Sequence, residues 1–202
     1  MQPNKRQELE ERRRQLQIKH AADEFVTSSL EPYIEILEHL KKREVAFEVI
    51  RLMYLQHDWK PHLENLLNQA PYKSYGFHSA HVTCTELGVT MDQLYERYPS
   101  INPLRYVPAL TKVERYRMAP TDQVQNGLAI AVTALALPDQ KVFLYYLKYT
   151  PLIEIDLAEL SRHADDELFN LWHGDAVIFP ADLSWLIAFT LEEEWYAGRY
   201  EL

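Results

Sequence analysis

The spacing of apolar residues changes near Pro120, and that change limits the chain to a fold with two textures. Ahead of it, apolar side chains recur at helical intervals. Phe25, Leu30, Tyr33, Ile34, Leu37 and Leu40 form one series, with Ser29 before Glu31-Pro32 as its cap and early proline. Val45, Val49, Leu52, Met53 and Leu55 read as a second helix, and His62, Leu63, Leu66 and Leu67 as a third that Pro71 closes. Four prolines between Pro99 and Pro120 argue against any long element there.

Beyond Pro120 the runs have strand length. Residues 128–137 and 142–149 flank the turn Pro138-Asp139-Gln140 and read as a hairpin, with residues 152–155 as a further strand. Asp156 is placed to cap a helix over residues 157–172, with Gly174 ending it. Residues 177–179 and 185–190 read as strands around Pro180-Ala181-Asp182. Trp185, Ile187 and Phe189 alternate with Leu186 and Ala188, so both faces of that strand are expected inside. The expected fold is α+β: a helical N-terminal half, then a small antiparallel sheet with one packed helix.

Three stretches follow from this: residues 1–22 as an exposed helical arm, 23–120 as a helical region and 121–202 as an acidic α+β unit. The last two are compatible with one continuous domain. In the arm, Leu9 and Leu16 stand seven apart, and Glu8 with Arg12 and Glu10 with Arg14 have the spacing that supports a solvated helix. A solvated arm and a dimerising or partner-binding arm both remain open.

Charge narrows the function classes. Residues 151–202 hold twelve acidic residues against two basic ones, Arg162 and Arg199, while the rest of the chain is nearly balanced; the total is −9. Such a field repels nucleic acid and anionic membrane and attracts something basic. The expected exposed acidic surface is Asp165, Asp166 and Glu167 beside Glu192, Glu193, Glu194, Trp195 and Tyr196, with an aromatic anchor among the last two. Cys84 is the only cysteine, which fits a reducing compartment, and the polar N-terminus and short apolar runs fit a cytoplasmic protein.

Catalytic signatures do not emerge. There is no GxSxG and no glycine-rich phosphate loop, and the carboxylates lack a partner at a spacing that tunes them. His78, His81 and Cys84 form an H-x-x-H-x-x-C series, yet no CxxC or HExxH accompanies it, so incidental histidines in a turn-rich segment are expected. The expectation is a non-enzyme that carries neither metal nor cofactor.

Two segments resemble known families. Leu87, Gly88, Val89, Thr90, Leu94, Tyr95, Tyr98, Pro99 and Ser100 resemble the turn and second helix of TetR-type helix-turn-helix regulators. That resemblance implies DNA binding by the helix after Gly88, which here offers Asp92, Gln93, Glu96 and Arg97, and a C-terminal sensor or dimerisation unit. Asp175 through Thr190, followed by acidic residues, is similar to the C-terminal ending of small bacterial immunity-type proteins, with Leu191 where those often carry histidine. This implies a protein that masks a basic partner such as a nuclease toxin. The immunity-type reading leads here, and the regulator is the alternative.

Overall fold

A computed structural model describes residues 5–53, 57–77, 82–83, 93–94, 96–98, 114–116, 124–147, 152–169, 175–190 and 194–199. The chain is α+β: a helical N-terminal part leads into a sheet. The helices are α1 (Lys5–Phe25), α2 (Glu31–Lys42), α3 (Lys60–Leu67), α4 (Val124–Ala134) and α5 (Leu157–His163). The strands are β1 (Phe47–Met53), β2 (Val82–Thr83), β3 (Glu114–Tyr116), β4 (Lys141–Tyr146), β5 (Leu152–Asp156), β6 (Ala176–Phe179), β7 (Trp185–Phe189) and β8 (Trp195–Arg199). Among the described residues they form one sheet in the order β2-β1-β5-β4-β6-β7-β8-β3, antiparallel except between β1 and β2.

α1 runs into α2 through a single π turn, Val26–Leu30. The expected start at Ser29 does not occur: Leu30 keeps helical dihedrals and no side chain caps it. Pro32 lacks the N–H that an α-turn would pair four residues back, and the register loosens just ahead of it. α2 then buries Tyr33, Ile36, Leu37 and Leu40 along one stripe. It ends where Glu44 turns left-handed at φ 57°, with Val45 N–H reaching the Leu40 carbonyl.

Three expected elements differ. The second helix is β1, whose Phe47, Val49 and Arg51 pair with Ile155, Ile153 and Leu152 of β5. Its β-branched Val49 and Ile50 suit a strand, and the pairing decides between periods that a short run leaves ambiguous. Residues 128–137 were expected as a strand, but most of this run is the end of α4, with Leu128, Ala131 and Leu135 buried at intervals of three and four. Its alanines favour a helix; Ala131 is buried in the core while Ala129 and Ala134 are exposed. The helix expected over 157–172 stops at His163, because Asp165 Oδ1 accepts the N–H groups of Glu167 and Leu168 and forms a separate turn. Nor does Asp156 cap α5; the Ala158 N–H is met by Asp139 Oδ1 at 3.2 Å.

The sheet is buried on both sides. Val142, Leu144, Tyr146, Ile155, Ile178, Trp185, Ile187, Phe189 and Trp195 pack with residues of α2, α4 and α5. On the other face Tyr145, Leu152, Val177, Phe179, Leu186 and Ala188 pack with Leu94 and Tyr98. A third cluster joins Val26, Leu30, Leu37, Leu63, Leu67 and Phe77 to Val49 and Ile153. β7 is buried at all five positions, as its composition requires.

Candidate functional site

Two acid-bearing segments far apart in the chain are drawn together by aromatic packing. Trp195, at the start of β8, lies 4.9 Å from Phe189 and 5.2 Å from Phe169 between ring centroids, and Phe169 sits 5.9 Å from Phe189. Gly127 makes room for this. A Cβ there would come within 2.2 Å of the indole Nε1, so only glycine lets α4 cross so near the tryptophan. The outcome sets Phe169, which follows the turn holding Asp165, Asp166 and Glu167, against Trp195, which follows Glu194.

The expectation that Trp195 is exposed is corrected: only 2 % of it is accessible, so it is a core residue and not a surface anchor. Its strand pairs with β7 on one side and β3 on the other, which directs the indole inward beneath α4. Tyr196 points to the opposite face, half-buried, and its hydroxyl donates to Glu194 Oε2. Glu192, Glu193 and Leu191 lie outside the described residues, as do His78, His81 and Cys84.

The turn acids divide by role. Asp165 binds inward: its Oδ2 is 2.6 Å from Arg43 Nη2 and 3.1 Å from His39 Nε2, the latter without hydrogen-bond geometry. Glu167 Oε2 lies 2.5 Å from His39 Nδ1 although its side chain is 73 % exposed. These contacts fasten the turn to α2. Tyr146 adds a buried link by donating to the Leu168 carbonyl at 2.6 Å. Burial, with Asp165's charge second, pushes the Tyr146 phenol well above its usual range, so it stays a neutral donor. Asp166 is exposed.

A second group of acids went unnoticed in the sequence. Glu48 stands opposite Glu154 across β1 and β5, and Asp156 stands opposite Lys141 across β5 and β4. Like charges facing across a ladder are unfavourable. Lys141 relieves this by donating to Glu154 Oε1 at 2.6 Å, and that hydrogen bond, aided by the charges of Glu154, Asp156 and Glu48, raises its pKa. The pairing of β5 with both β4 and β1 unites these residues, and Glu48 joins them only through β1, so no local pattern announces the whole group.

The remaining candidates fall on structural tasks or outside view. Arg97, the basic residue of the helix-turn-helix resemblance, donates to the carbonyls of Asp182 and Leu183, while Leu94 and Tyr98 are buried against the sheet. Residues 84–92 lie outside the described residues. Among the described residues no three His, Cys, Asp or Glu side chains are grouped to hold a metal, and no helix is long and apolar enough to cross a membrane. Comparison with family models, with curated proteins and with solved structures found no match to this chain.

Proposed function

We propose that this chain is a bacterial, cytoplasmic binding protein of the immunity type, whose acidic C-terminal surface masks a basic protein partner such as a nuclease toxin. The supporting observation is the Phe169–Trp195 contact, which joins the segment that follows Asp166 and Glu167 to the strand that follows Glu194. A nuclease presents positive charge to its phosphate substrate, so a compact negative surface steers toward it and competes for the same ground. Within this reading Asp165 is a support, held by Arg43 and His39, Glu167 touches His39 yet stays exposed, and the contacting groups are Asp166, Glu167, Glu192, Glu193 and Glu194.

The test uses a panel of purified cationic nuclease domains, measuring association rate and DNA cleavage with the chain present. Asp166→Lys combined with Glu192→Lys, Glu193→Lys and Glu194→Lys leaves the Asp165 contacts intact. We expect cleavage inhibition by the natural chain and association at low salt at least about tenfold slower for the reversed one. Equal rates for the two chains would remove the mechanism.

A further inference from the structure

The side of α1 turned away from the body of the protein has its own chemistry, independent of the acidic surface. Its docked side is marked by Arg14, Ile18, Ala22 and Phe25, four, four and three residues apart. Arg14 Nη2 is 2.9 Å from Asp58 Oδ2, Ala22 is buried, and Phe25 packs on Trp59 at 5.6 Å. At 3.6 residues per turn, Leu9 and Leu16 point about 170° away from that stripe. Both are in water, 57 % and 50 % exposed, and every residue from 5 to 17 is exposed as well. The residues sharing their side of the helix are Lys5, Arg12, Arg13 and His20, with one carboxylate, Asp23, beyond His20 at the C-terminal end, so the positions beside the two leucines are cationic.

We propose that this outward face docks an acidic amphipathic helix of a partner protein. Two leucines seven residues apart, about 10.5 Å along the axis, match the repeat of a facing helix, and the flanking cations select its charge. Charge complementarity disfavours a second copy as the occupant. An antiparallel pair that sets Leu9 against Leu16 also sets Arg12 of one copy against Arg13 of the other, and a parallel pair stacks each arginine on itself. A nucleic acid would use the cations but not the leucines, and it meets a chain of net charge −9.

The probe is a labelled synthetic helix with leucine at every seventh position flanked by glutamates, titrated with the full chain; a lysine-flanked version is the control. The acidic helix should bind, and Leu9→Glu with Leu16→Glu, or Arg12→Glu with Arg13→Glu, should weaken it by more than about tenfold. Circular dichroism should stay unchanged, since these side chains are exposed. The proposal is overturned if the acidic helix does not bind, if both helices bind alike, or if the substitutions leave binding unaltered. It is overturned equally if sedimentation shows a dimer that Leu9→Glu with Leu16→Glu abolishes, or if duplex DNA or phosphatidylglycerol vesicles displace the peptide. Reversal of Asp166 and Glu192 to Glu194 should not affect this binding, so its failure is separable from that of the acidic surface.

Discussion

β7 buries every one of its five residues, whereas residues 5–17 of α1 are all exposed. Both are regular, but a helix pairs its own backbone groups and can stand in water, while a strand depends on neighbours for its hydrogen bonds. Arg6 with Glu10 and Gln15 with Glu11, each four apart, support the exposed half of α1 from within. β7 draws its hydrogen bonds from β6 and β8, and its burial from both faces. Stability in this protein therefore resides in the sheet, and freedom to vary chemistry resides in the arm.

That contrast can be broken by substitution. Trp195→Ala removes a side chain packed against Phe169 and Phe189 and should cost about 3–5 kcal/mol in chemical denaturation. A loss near zero would show that β8 is not part of the core. Gly127→Ala drives a methyl into the indole and should cost about 1–3 kcal/mol, although alanine is ordinarily the better helix former. A gain in stability would mean that α4 shifts freely over Trp195. Tyr146→Phe leaves the Leu168 carbonyl without its donor at a cost of about 1–3 kcal/mol, read in the same titration.

Smaller effects sharpen the comparison. Asp182 is held below the usual aspartate range, first by a hydrogen bond with the Ser184 side chain and then by the Ser184 N–H at 3.0 Å. A lowered folded-state pKa gives stability that is present above the ordinary aspartate value and lost as pH falls through the lowered one. Asp182→Asn should flatten that part of the acid limb modestly, because the residue is exposed; an unaltered limb would count against the turn's contribution. Leu9→Ala with Leu16→Ala should shift stability by no more than about 0.5 kcal/mol. A larger loss would place the arm within the cooperative fold.

Legibility followed the range of the interactions. β4, β5, β6 and β7 were readable because aromatic and β-branched runs between turn residues have few alternatives. β1 and α4 were exchanged in type, since Val45 to Met53 fits a helical spacing as well as a strand and residues 128–137 are apolar enough for either. Asp165 to Glu167 were visible as acids, but their division into support and surface was not, because His39 comes from α2 and Arg43 from the residue that ends it. The glycine at 127 carried no local signal: its reason is an indole sixty-eight residues away.

By itself the order of residues determined the α+β class, the turn after β6, the doubly buried β7 and the crowding of negative charge into residues 151–202. Those are consequences of composition and short-range spacing, which any fold of the chain must respect. Tertiary structure decided that β1 leaves the helical part to pair with β5, that Trp195 turns inward, and which carboxylates serve the fold. The physical reason is common to all three: burial and ion pairing depend on which distant segment arrives alongside, and arrival is settled by the packed sheet.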